Sequence, residues 1–263
     1  SKDEEATVWH PVNKVYDIPN KSLYSVNIKN LFLAGRAISA THIAFGSTRV
    51  MGTCAVVGQA VGTAAALAVN KKFQSVKEVN GCINELQQTL LKDGCYIPSV
   101  KNEDPADLAK KAKVSATSFK KEGMPQNVIN GFVRNGNGKC NAYISDGIAP
   151  TGERLTLKWD EPITANSLLL RFDSNFGCEL TISLSQYRQR IQRPFPTELV
   201  KDYDVELYLD GRVVKKISKR GNIQRCNDLR FENTVFDRAD IIAYSTHGAE
   251  NISLFEVRVY SHR

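Results

Sequence analysis

The chain has 263 residues, 42% hydrophobic and 24% charged, with a formal net charge of +7. This length holds one large or two ordinary domains, and the balance excludes a disordered or low-complexity chain. The basic excess is spread out, and its densest patches, "KNEDPADLAKKAK" and "VVKKISKR", carry no Arg-rich run or nucleic-acid motif, so no nucleic-acid partner is expected.

The first ten residues, "SKDEEATVWH", are acidic and polar and do not read as a signal peptide. "YDIPNKSLYS" reads as an extended, Pro-interrupted segment entering a core. "NLFLAG" predicts a short buried strand closed by Gly35. A helix of Ala, Gly, Val and Thr is expected from about Met51 to Asn70. The run from Thr53 to Val69 carries no charge, but its Gln59 and many Ala and Gly favour a helix buried in protein over a membrane span. "SVKEVNGCINELQQTLLKDG" places Val76, Val79, Ile83, Leu86, Leu90 and Leu91 at amphipathic helical spacing, and Gly94 is a stop. "DPADLAKKAK" predicts a short helix with Asp104 as N-cap and Pro105 at its first position. The expected organisation is residues 1–100, a helical linker over 101–113, and a second domain over 114–263.

From Val114 the period changes. "RLTLKWD", "SLLLRFDS", "ELTISLS", "DYDVELYLDG", "RVVKKIS" and "LFEVRVY" are strand-like runs punctuated by turns, with no helix between them. They predict an antiparallel β-sandwich. The six cysteines (Cys54, Cys82, Cys95, Cys140, Cys178, Cys226) form no C-x-x-C pair and no zinc spacing with the four histidines. Cys54 reads as a small buried hydrophobe.

The stretch "NLFLAGRAISATHIAFGSTRVMGTCAVVGQAVGTAAALA" has chemistry written into it. A strand ending in Gly35 lets backbone approach a ligand closely. The helix opening at "VMGT" has unpaired N–H groups at the positive end of its dipole, which suit an anion or an electron-rich carbonyl. Arg36 and Arg49 add positive charge. Gly58 and Gly62, with Ala55, Ala65 and Ala66, form a small-residue face for close packing. These features alone describe an anion- or cofactor-binding strand–loop–helix, or a tightly packed core helix.

The same stretch, extended upstream through "YDIPNKSLYSVNIKN" and downstream through "LQQTLLKDGCYIP", resembles the C-terminal flavin-contacting segment of FAD-dependent oxidoreductases with a glutathione-reductase-like FAD fold. The resemblance implies that Gly35 and Arg36 lie along the ribityl and phosphate side of FAD. It places Val50, Met51, Gly52 and Thr53 at the pyrimidine edge, with Arg49 close by. Many members have an Asp where Arg36 stands, so that contact must differ here. His42 is the one histidine of the stretch and the candidate acid or base, against a structural histidine in a connecting loop. No base stands near Ser39, Thr41 or Ser47 in sequence, so no nucleophile is proposed.

A flavin enzyme of this fold needs a G-x-G-x-x-G strand–helix unit. "GFVRNGNGKC" precedes strands and reads as a turn. The expected fold class is therefore α+β multidomain: a partial α/β FAD-binding unit, without its N-terminal Rossmann βαβ, joined to an antiparallel β-sandwich jelly roll. The chain reads as the C-terminal portion of a longer enzyme, inactive and without FAD by itself. Its expected partners are the N-terminal portion and a small-molecule or sugar-derived substrate.

Residues 114–260 resemble the galactose-binding-like modules of discoidin and coagulation-factor type C, through "VSATS", "PQNVINGFVR", "RLTLKWDEPITANSLLLRFDS" and "LFEVRVY". That resemblance implies either a module that packs on its enzyme or one that binds sugar. For sugar, "SQYRQRIQRPFP" supplies Tyr187, Arg188, Arg190, Arg193 and Phe195. It also implies a structural calcium at Asn130 and Glu256, weakened because Asn brings no charge. The alternative function is thus a carbohydrate-binding or packing module of a glycan-processing protein. A polysaccharide lyase would need a Tyr or His base beside a charge-neutralising group, and no such cluster is visible.

Overall fold

The computed structural model describes residues 15–136, 138–176 and 195–261. The chain divides into two compact units, 1–100 and 101–263.

The first unit is helical. Helix α1 spans His42–Thr48 and α2 spans Met51–Asn70. A 3-10 segment over Val76–Cys82 leads into α3, Ile83–Lys92. Thr41 caps α1 by accepting the Ala44 N–H at 3.3 Å. Ser75 and Glu78 form a capping box, yet Asn80–Gly81 follow at once, and the expected single helix splits into a 3-10 turn and α3. Gly94, at φ +96°, ends α3 as expected. The "NLFLAG" strand is reduced to one bridge, Tyr24 to Phe32, held by the Ser25 N–H to Leu31 C=O bond and the Leu33 N–H to Leu23 C=O bond. Two small cores result. Val57 of α2 packs with Leu23 and Ile38, and Ala64 and Ala68 pack with Val79, Leu86 and Leu90.

The opposite face of α2 is bare. Met51 is 88% exposed, Val56 58% and Val69 76%, and Gly52, Gly58 and Gly62 face open space. By length and composition α2 is long and apolar enough to cross a membrane.

The second unit is an antiparallel β fold. Its strands are β1 Lys113–Ala116, β2 Tyr143–Ile144, β3 Glu153–Phe172, β4 Val200–Leu209, β5 Arg212–Lys219, β6 Cys226–Thr246 and β7 Ser253–Tyr260. Their order is β2-β7-β3-β6-β4-β5, with β1 on the side of β3. "RLTLKWD" and "SLLLRFDS" are one strand, β3, because a register shift between Lys158 and Ile163 absorbs Glu161–Pro162 without ending the pairing. "ELTISLS" lies outside the described residues. One core, including Leu157, Trp159, Leu170, Phe172, Tyr203 and Val257, fills the interior.

The segment 101–112 is a strap on this unit. Asp107, rather than Asp104, caps its single 3-10 turn, Leu108–Lys111. Asp107 accepts N–H bonds from Ala109 and from Val259 of β7, and a third from the Asn102 side chain. The Trp159 indole donates to the Leu108 carbonyl at 2.9 Å. Every residue of β7 is buried.

Candidate functional site

The strand–loop–helix stretch folds as a compact corner. Gly35–Ala37 makes a 3-10 turn with Gly35 at φ +61°, a conformation that favours glycine. Ala34 and Ile38 flank the turn and pack with Val57 and Val61, which sets it beside the first half of α2. Helix α1 follows, so His42 stands at a helix start and not in a loop; its side chain is exposed. Arg49 ends α1, its N–H bonded to the Phe45 carbonyl at 3.1 Å, and its side chain is exposed too. The Arg36 guanidinium lies 5.5 Å from the Phe45 ring centroid, a cation–π contact that ties the turn to α1.

Val50 is extended, at φ −71° and ψ 147°, and serves as N-cap of α2. The first intrahelical bond runs from the Cys54 N–H to the Val50 carbonyl, at 2.9 Å. The N–H groups of Met51, Gly52 and Thr53 precede it, and no side chain caps them. No acidic residue stands in that first turn. A helix start left bare in this way presents several donors and the positive end of a 20-residue dipole to whatever lies in front of it. A Cβ on Gly52 would also meet nothing within 4 Å, so backbone approach is unhindered. Gly35, Arg36, Arg49, Val50, Met51, Gly52 and Thr53 thus lie on adjoining elements, and their donors fit an anionic or carbonyl-bearing cofactor such as FAD. His42 is the first residue of α1, directly after its N-cap Thr41.

The calcium positions do not fit a metal. Asn130 accepts the Phe132 N–H at 2.8 Å and donates to Asn141. Glu256 is buried between Arg171 and Arg258, with the Arg258 Nε 2.9 Å away. Its charge is already neutralised, and no cluster of metal-binding side chains occurs among the described residues.

Of the sugar-binding candidates, Tyr187, Arg188, Arg190 and Arg193 lie outside the described residues. Phe195 packs against His247 in a tilted arrangement, with ring centroids 4.9 Å apart. Sequence reasoning missed Phe176. It is half exposed, and the guanidinium groups of Arg134 and Arg225 lie 5.2 and 4.6 Å from its centroid. Those three residues are far apart in the chain and share no motif, so only the fold brings them together.

Residues 1–90 match the model of a family described as FAD dependent oxidoreductase. No curated protein matches the chain. Similar solved structures include the lectin-binding domain of lectinolysin, a His 62 mutant complexed with Lewis b. It is 12% identical, covers 60% of this chain and 96% of its own, and has a TM-score of 0.46. A Streptococcus pneumoniae fucose binding module, SpX-3, is 13% identical over 60% of this chain and 98% of its own, with a TM-score of 0.45. A chitosan-binding module from a chitosanase/glucanase of Paenibacillus sp. IK-5 is 12% identical over 59% and 98%, with a TM-score of 0.43.

Proposed function

We propose that residues 1–100 are the flavin-closing, C-terminal part of an FAD-dependent oxidoreductase, and that residues 101–263 are a β-sandwich appended to it. One observation carries this reading: the segment that matches the family also holds a long helix whose first-turn N–H groups are bare. The chemistry supplied by bound FAD would be acceptance of a hydride equivalent from the substrate. The role of this chain is positioning. Met51, Gly52 and Thr53, whose N–H groups are uncapped, would hold the electron-rich edge of the flavin ring and stabilise negative charge there. Gly35 would let the backbone pass close to the ribityl chain, and Arg36 and Arg49 would balance phosphate charge. His42, exposed at the start of α1, would hold or release a proton on the substrate side.

The bare apolar face of α2 supports a partner portion that completes the domain, since so much exposed apolar surface is unfavourable in water. The substrate is a small molecule, an alcohol, an amine or a sugar derivative.

The test is a visible absorption spectrum of the chain after incubation with FAD and removal of free flavin. It is run with and without a second polypeptide carrying a G-x-G-x-x-G strand–helix unit of the same family. Flavin bands retained only with both polypeptides support the proposal. No retained flavin, with both folded, overturns it.

A second reading has its own observation. Phe176, half exposed and flanked by Arg134 and Arg225, offers a stacking face beside hydrogen-bond donors. This combination suits a glycan. Calorimetry of the full chain against a saccharide panel, with Phe176→Ala as control, tests it, and binding that survives that substitution places any sugar elsewhere.

A further inference from the structure

We infer that the guanidinium of Arg225 takes the place of a structural divalent cation in the second unit and holds the loop 130–136 and the Phe176 face in position without calcium. The inference rests on residues 101–263 alone and holds whether or not that face binds a glycan.

The donor set argues against a metal. Calcium takes about six to eight oxygen ligands, carboxylates and carbonyls among them. Positions 123–145 contain no Asp or Glu. The loop carbonyls already meet nitrogen donors. Gly131 accepts the Asn102 N–H at 2.9 Å, and Arg134 accepts from the Asn141 side chain at 3.0 Å. Val133 accepts from Arg225 Nη2 at 2.6 Å. Glu256, the carboxylate that the resemblance implies, lies between the buried Arg171 and Arg258. Its Oε1 has no hydrogen-bond partner among the described residues, but a divalent ion there would stand beside two guanidinium charges.

Arg225 does what such an ion would do, since it ties separate segments together through one charge. It stands directly before β6. Its backbone carbonyl accepts the Phe172 N–H, at the end of β3, at 2.9 Å. Its guanidinium bonds Val133 of the loop and lies 4.6 Å from the Phe176 ring centroid. The loop, the end of β3 and the start of β6 thus converge on one residue. A guanidinium suits this place, because its planar fork donates to a carbonyl while its face rests on an aromatic ring. Burial lowers the Arg225 pKa from its ordinary value, and the charge of Arg171 adds to that while Asp173 opposes it. Further positive charge is disfavoured there. Arg225 is therefore a positioning residue for the Phe176 face.

The test uses the full chain. The Tm of the second unit is read in excess EDTA and again with added calcium chloride. Site-resolved hydrogen exchange reads the amides of Phe132 and Asn141, which bond the side chains of Asn130 and Asn135, and those of Leu170 and Val257 in the core. The Tm is expected to differ by less than about 3 °C between EDTA and calcium. Arg225→Met removes the charge and the donors. It should speed exchange at Phe132 and Asn141 by about tenfold or more and leave Leu170 and Val257 unchanged. Arg225→Lys, which keeps a cation and a donor, should restore slow exchange. Four outcomes overturn the inference: a larger rise in Tm with calcium, unchanged exchange at Phe132 and Asn141 in Arg225→Met, equal acceleration at all four amides, or exchange as fast in Arg225→Lys as in Arg225→Met. If Arg225→Met does not fold, Arg225→Lys decides: slow exchange at Phe132 and Asn141 supports the inference, and fast exchange overturns it.

Discussion

Glu256 lies between Arg171 and Arg258, and all three side chains are almost wholly buried. Buried charge is tolerated when it is paired, and removing one partner leaves the others uncompensated. Glu256→Gln should therefore destabilise the second unit by about 3–5 kcal/mol, read by urea denaturation followed with circular dichroism. A loss below about 1 kcal/mol would mean that the arginines find other partners. Two other carboxyl groups give the unit a pH dependence of opposite signs. Burial raises Asp107 to about 6, against the N–H groups of Val259 and Ala109, which pull it down. Its folded value thus lies above its unfolded value of 3.8, so the folded state holds the proton more tightly and stability falls as pH rises from about 4 to about 6. Burial pushes Asp204 up as well, but bonds from Arg220, Lys216, Ser218 and Tyr244 outweigh it and hold that carboxyl well below the usual range. The stability it contributes is present above its unfolded value and is lost as pH falls below about 4. Asp107→Asn should flatten the decline in Tm between pH 4 and 6 and leave the acid limb in place. An unchanged slope would assign the decline to another group.

At the scale of elements, α2 and the sheet differ in how they could be read. Helix α2 matches its expected bounds, Met51–Asn70, because a long, Ala-rich apolar run with no Pro has no competing period and outweighs its three glycines. Helix α1 was not legible: "HIAFGST" is short and contains β-branched residues and Gly, and only the Thr41 cap marks it. The strands of the second unit were legible as alternation, but β3 looked like two because Pro162 usually interrupts a ladder. The buried charges were not legible, since Arg171 meets Glu256 from a strand far along the chain. In the candidate site, Gly35 and the start of α2 were visible as a pattern of small residues, whereas Phe176 with its two arginines depends on loops brought together by the sheet. Two predictions belong here. Val56→Gln with Val69→Gln changes only exposed positions, so it should leave Tm within about 1 °C while lowering self-association in light scattering. The same pair should weaken flavin retention if that face meets the rest of the domain. Gly152→Ala should cost about 1–3 kcal/mol. The backbone there has φ +86°, and a Cβ would lie 2.8 Å from Tyr244 and 2.9 Å from Ile242.

For the whole molecule, the two units have separate cores and different needs. The second has a single continuous core and its own strap, so residues 101–263 expressed alone should show the same melting transition as in the full chain. A shift of more than about 5 °C would mean that the first unit supports it. The first unit has two small cores and one long uncovered helix face, and it should unfold first and without a sharp transition.

The strap has a further consequence. It brings the entry of the second unit, near Asp107, within hydrogen-bond distance of its exit at Val259. A module whose two ends meet is portable. It can be spliced into a surface loop of an unrelated host, or its ends joined and new ones opened elsewhere, with little change to its core.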